Sequence, residues 1–94
     1  MSNLNAALHA ATTETVKLNH TSPVIGKNLG ELNLRNDTGA TLIAVVRGED
    51  TKIGPGANYK LQEDDILILF GKTENIERAI RVLQPEAETG GFNP

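Results

Sequence analysis

The sequence predicts a small α+β domain: a mostly antiparallel sheet with a short helix after the first strand and a C-terminal helix packed on it. Three observations predict it. Two apolar runs, Thr41 to Arg47 and Ile66 to Phe70, have the length and aliphatic content of buried strands. Between them, Gly48-Glu49-Asp50 and Gly54-Pro55-Gly56 bracket the short segment Thr51 to Ile53, the pattern of a hairpin. From Thr73 onward the apolar residues change to helical spacing: Ile76, Ala79, Ile80 and Leu83.

The elements follow in chain order. Residues 1–12 are Ala-rich, with Leu4, Leu8 and Ala11 at helical spacing, and predict an N-terminal arm or short helix. Thr12 to Leu18 predicts the first strand, because Thr13, Thr15 and Val16 favour extended backbone. Asn19 to Gly26 carries turn residues and predicts a loop. Lys27 to Leu32 predicts a short helix, with Leu29 and Leu32 on one face. Asn36-Asp37-Thr38-Gly39 predicts a turn.

Thr41 to Arg47 is apolar through its middle, which predicts burial on both faces. Tyr59 to Leu61 predicts a short extended piece, and Gln62 to Asp65 a polar turn into Ile66 to Phe70, a strand closed by Gly71. Thr73 is the expected N-cap of the last helix, with Glu74 and Glu77 near its start and Arg78 and Arg81 nearer its end. Gln84-Pro85 stops it. The domain proper is expected over 13–85, and residues 86–94 read as a disordered tail.

Bulk properties narrow the function. The 94 residues make one domain. A chain of this size buries only about 60–65% of its unfolded surface, so a dimer interface would add burial that the monomer lacks. Net charge is −3 and no Lys/Arg run appears, which argues against a nucleic-acid partner. There are no cysteines, hence no disulfide, thiolate nucleophile or Cys-based zinc site. Met1 to Ala11 has no basic residue ahead of an apolar block, unlike a signal peptide. The longest apolar run is far short of the roughly 20 residues a membrane span needs. The expected location is the cytoplasm, with any membrane contact made through a partner protein.

No pattern supports an enzyme. Asp64 and Asp65 form an acidic pair, but a polar turn before a buried strand accounts for them. His9 and His20 lack metal-ligand spacing, so no metal site is expected. Gly26-Lys27-Asn28 opens a helix and could hold an anion on backbone N–H groups. A tight turn with a solvated lysine explains it better. Arg35 and Arg47 carry planar donor forks suited to phosphate. Read locally, each caps a strand end or pairs with Asp37 or Glu49.

The middle of the chain is more specific. Ser22-Pro23-Val24-Ile25-Gly26-Lys27-Asn28-Leu29-Gly30-Glu31-Leu32 is followed by Leu34-Arg35, then by Gly39-Ala40-Thr41-Leu42-Ile43-Ala44-Val45-Val46-Arg47. Pro55 and Leu61-Gln62-Glu63-Asp64-Asp65-Ile66-Leu67-Ile68-Leu69-Phe70-Gly71 complete an ordered series. Over about residues 15–84 this resembles the TrkA-C domain, the C-terminal lobe of RCK modules, and within it the KhtT-like regulatory subunits of potassium/proton antiporters. Asp64 departs from the family, which usually has Gly there, implying a positive-φ turn that Asp tolerates.

The resemblance implies a homodimer formed through the short helices and adjoining strands. It implies regulation of a membrane cation transporter, of potassium in the family's usual setting, or of a cation/proton antiporter. No cofactor is required. Several family members bind cyclic di-AMP on the dimer axis, and the matching positions here are Leu29, Asn33, Arg35, Thr41, Leu42, Ile43 and Pro55. In that reading Leu29, Leu42, Ile43 and Pro55 sandwich adenines, Arg35 meets a phosphate, and Asn33 and Thr41 hydrogen-bond. The alternative left open is a ligand-free dimerisation or docking module, with the same aliphatic residues forming dimer core.

Overall fold

The computed structural model describes residues 11–85. The expectations for an arm over residues 1–10 and a tail over 86–94 lie outside the described residues.

Four strands form one antiparallel sheet: β1 (Ala11–Lys17), β2 (Thr41–Arg47), β3 (Asp50–Ile53) and β4 (Ile66–Lys72). Their order across the sheet is β1-β4-β2-β3. Three helices complete the domain: α1 (Leu29–Leu32), α2 (Leu34–Thr38) and α3 (Thr73–Leu83). The predicted α+β class and the antiparallel sheet are what the chain forms.

The apolar stripe of α3 puts Ile76, Ala79 and Leu83 against the sheet, where Val16, Val45, Leu67 and Leu69 meet them in a single core. The C-terminal end of α3 is held by the loop after β1. The amide of Asn19 donates to Gln84 Oε1 at 2.9 Å, Gln84 Nε2 donates to Asn19 Oδ1 at 2.8 Å, and Ser22 Oγ donates to the Leu83 carbonyl. These bonds satisfy side chains that are buried, as burial of polar groups demands.

Three expectations are corrected. Strands β2 and β4 are not buried on both faces. Val45, Leu67 and Leu69 turn inward, while Phe70 is 45% and Ile43 36% exposed. The reason is layering: helix packs on one face of the sheet only, and no described element covers the other. Residues 34–38 form the helix α2 rather than a turn, ended by Gly39 at φ 85°. Strand β4 runs through Gly71 to Lys72, so Lys72 takes the N-cap position and Thr73 enters the helix without capping it. Strand β2 also carries an irregularity that the sequence did not address: Leu42 pairs with Leu69 but Ala44 with Ile68, leaving Ile43 in a β-bulge.

Candidate functional site

The site is built where α1 meets the segment after β3. Helix α1 has only four residues, too few to persist alone. A capping box holds its start: Asn28 Oδ1 accepts from the Glu31 amide at 2.8 Å, and Glu31 Oε1 accepts from the Asn28 amide at 2.9 Å. Asn33 closes it in the left-handed conformation, φ 52°, and at the same residue the chain enters α2.

Residues 57–61 are laced to the start of α1 by backbone hydrogen bonds. The amides of Leu29 and Gly30 donate to the carbonyls of Tyr59 and Ala57 at 3.1 and 2.9 Å. Gly26 donates to Leu61, and Leu61 to Lys27. Gly30 suits this close approach: a Cβ there would lie 3.3 Å from the Ala57 Cβ and 3.4 Å from its carbonyl oxygen, a tight contact that would push the 57 segment outward by a few tenths of an ångström. The lacing also decides the Gly26-Lys27-Asn28 question. The N–H groups at the start of α1 are already bonded, to Tyr59, Ala57 and Asn28, so none is left for an anion.

The result is an open groove of about 270 Å³. Six of the seven residues singled out from the sequence line it: Leu29, Asn33, Arg35, Thr41, Leu42 and Pro55. They come from α1, α2, the start of β2 and the loop after β3. Ile43 does not line the groove: it sits at the irregularity in β2 and is exposed. Gly30, Leu34, Gly56 and Ala57 complete the walls and were not foreseen. Gly30 did carry a signal: a glycine inside a helix marks close backbone approach. Gly56 and Ala57 carried none beyond a chain break.

Within the groove the polar groups are few. The Arg35 side chain is exposed and has no hydrogen-bond or ion-pair partner among the described residues. Asn33 Oδ1 accepts from Asn36 Nδ2 at 3.0 Å, leaving its own amide NH₂ for other partners. An unpaired guanidinium beside apolar walls suits an anion with a flat apolar body.

Arg47 does not pair with Glu49, as a local reading allowed. It reaches Asp65, whose carboxylate is fully buried. The hydrogen bond to Asp65 raises the Arg47 pKa above its ordinary value, outweighing the effect of burial. The guanidinium therefore stays charged up to strongly alkaline pH, and the attraction weakens only above that range. Asp65 is thus an ion-pair partner and not merely part of a polar turn. At Asp64 φ is 72°, the left-handed turn anticipated from the glycine usual at this position.

Comparison with known proteins follows this geometry. Residues 14–84 match the TrkA-C domain. Among curated proteins, the chain is 32% identical over 68 residues to the K(+)/H(+) antiporter subunit KhtT of Bacillus subtilis (strain 168), covering 71% of this chain and 41% of KhtT. It is 28% identical over 79 residues to the uncharacterized protein YrvC of the same strain, covering 83% of this chain and 48% of YrvC. The chain thus spans less than half the length of these relatives.

Among solved structures, the RCK C domain of the potassium transport protein KtrA in complex with cyclic di-AMP superposes with TM-score 0.66 at 28% identity, covering 82% of this chain and 91% of that one. The RCK_C domain dimer of S. agalactiae BusR with c-di-AMP superposes with TM-score 0.69 at 24% identity, covering 74% of this chain and 92% of that one. BusR is also known in complex with promoter DNA, with this chain covering 34% of it. The acidic charge of a domain of this fold is therefore no argument against a nucleic-acid partner for a longer protein that contains it. Match and fold agree: the chain belongs to the TrkA-C domain family, and its fold is that of RCK_C domains.

Proposed function

We propose that this chain is a dimeric sensing domain that regulates a cation transporter or cation/proton antiporter, and that a small anionic nucleotide such as cyclic di-AMP occupies the groove at the dimer interface. The observation that carries the proposal is the meeting of Arg35 with Leu29, Leu42 and Pro55 in one open groove. Arg35 supplies the phosphate contact, the aliphatic side chains sandwich adenine, and Asn33 and Thr41 supply hydrogen bonds. KtrA, which shares the fold and binds this ligand, supports the reading.

Ile43 joins the site from the interface side. Exposed on its bulge, it is available to the second subunit, and a two-fold ligand on a two-fold axis would meet the same residues twice. The groove's polar side chains are an amide, a guanidinium and a hydroxyl. These hold an anion and do not exchange protons at neutral pH, so the chemistry favours binding over catalysis. No helix among the described residues is long and apolar enough to cross a membrane, consistent with contact to the transporter through a partner.

Calorimetry with cyclic di-AMP tests the reading. The wild-type chain is expected to bind, and Arg35→Ala to lose at least about tenfold in affinity, the typical worth of a charge-assisted hydrogen bond. Equal affinity for both removes Arg35 from the site. No binding by a chain that still sediments as a dimer supports the ligand-free docking module instead.

A further inference from the structure

Outside the groove, a second arginine organises the wall that the ligand would touch. Arg47 ends β2 and lines no part of the groove. Its Nε and Nη2 donate to the two oxygens of Asp65, each at 2.8 Å. Nη2 also donates to the Lys60 carbonyl at 2.8 Å, and the guanidinium carbon sits 4.8 Å from the centre of the Tyr59 ring. Asp65 Oδ2 in turn accepts from the Gln62 amide at 2.8 Å. One guanidinium thus grips residues 59, 60 and 65 together.

The same segment carries the groove wall. The Tyr59 and Ala57 carbonyls receive the amides of Leu29 and Gly30, and the Tyr59 amide donates to the Gly56 carbonyl at 3.1 Å. Leu29, Gly30, Gly56 and Ala57 all face the groove. A continuous path therefore runs from Asp65 through Arg47 and Tyr59 to the two sides of the groove. No other described side chain forms a hydrogen bond or ring contact with residues 56–60.

We infer that Arg47, held by Asp65, is a positioning residue for the groove: it fixes the 56–60 wall against α1 and so sets the groove's width without touching what binds there. The binding half of this inference rests on the nucleotide reading above; the structural half does not. Lysine cannot replace the fork, because one ammonium cannot serve both carboxylate oxygens and the Lys60 carbonyl in one plane while lying over Tyr59.

The test compares wild type, Arg47→Met, Arg47→Lys and Val16→Ala in the full chain, well below each melting temperature. Val16 is a core residue of β1 outside the groove, and its truncation serves as the control for plain loss of stability. Hydrogen exchange at the Leu29 and Gly30 amides is read first. Faster exchange in Arg47→Met, less in Arg47→Lys and none beyond the general loss of stability in Val16→Ala is expected. Affinity for cyclic di-AMP is read second, with Arg47→Met weaker by about fivefold, within the range of residues that act from outside a site.

Unchanged exchange at Leu29 and Gly30 in both Arg47 variants overturns the inference, as does an equal change in Val16→Ala. If Arg47→Met does not fold, Arg47→Lys carries both readouts. If the wild-type chain binds no cyclic di-AMP, the nucleotide reading fails while the exchange measurement still decides what Arg47 does.

Discussion

The guanidinium of Arg47 forks onto the carboxylate of Asp65, Nε on Oδ1 and Nη2 on Oδ2, both at 2.8 Å. The two partners are unequally placed: the Asp65 side chain is fully buried, whereas that of Arg47 is 33% exposed. Removing one partner is therefore not equivalent to removing the other. Arg47→Met strands a buried carboxylate with the Gln62 amide as its remaining bond and is expected to lose about 3 kcal/mol. Asp65→Asn keeps an acceptor for Gln62 and leaves an arginine that can turn to water, with an expected loss of about 1–2 kcal/mol. Urea denaturation gives the order, and a larger loss in Asp65→Asn contradicts this account.

Asp64 takes a left-handed backbone unusual for a residue other than glycine, with φ at 72°. Its amide nevertheless donates to the Leu18 carbonyl at 2.7 Å, so the turn is held in place. Asp64→Gly relieves strain but widens the unfolded ensemble, and the two effects of about 1 kcal/mol each nearly cancel. Asp64→Val cannot relax and is expected to lose about 1–2 kcal/mol. Melting temperatures of the pair check the difference.

Gly39 and Gly48 both have positive φ, 85° and 62°, yet they differ in surroundings. A Cβ at Gly39 would lie 2.6 Å from Asn75 Nδ2, whereas one at Gly48 meets nothing within 4 Å. Gly48→Ala is expected to lose about 1 kcal/mol from backbone strain alone. Gly39→Ala should lose more by whatever it costs Asn75, whose Oδ1 accepts from Arg78 Nη1, to swing aside, and Asn75→Ala in the same chain should recover part of that excess. A double-mutant cycle in urea reads that coupling, and additive losses would rule out the clash.

Ile43 stands on its bulge and contributes little to the monomer's core. Ile43→Asp should leave folding stability within about 0.5 kcal/mol of wild type, as exposed sites do. In the proposed dimer it places a charge in an apolar contact, so sedimentation velocity should show the monomer at concentrations where wild type is dimeric. A variant that dimerises as well as wild type moves the interface elsewhere.

Local pattern determined a great deal here. The two aliphatic runs, the glycine-bracketed hairpin and the Ile76, Ala79, Leu83 spacing prescribe strands and helix, because each signal is written within a few neighbouring residues. The ordered motifs also named six groove residues before any geometry was known. Helix α2 was hidden because Asn-Asp-Thr-Gly carries the side chains of a turn, and only the helical bonds ending at Gly39 override them.

Only the tertiary structure decided the rest. Asp37, Glu49 and Asp65 were all chemically fit to meet an arginine, and nothing in their spacing ranks them. The antiparallel pairing of β2 with β4 brings the end of β2 beside the start of β4, which places Arg47 over Asp65, a partner 18 residues away. The bulge at Ile43 is likewise a matter of register between β2 and β4. Spacing along the chain records which residues share a face; which distant groups meet depends on how strands align, and that is settled only when the whole sheet closes on its helix.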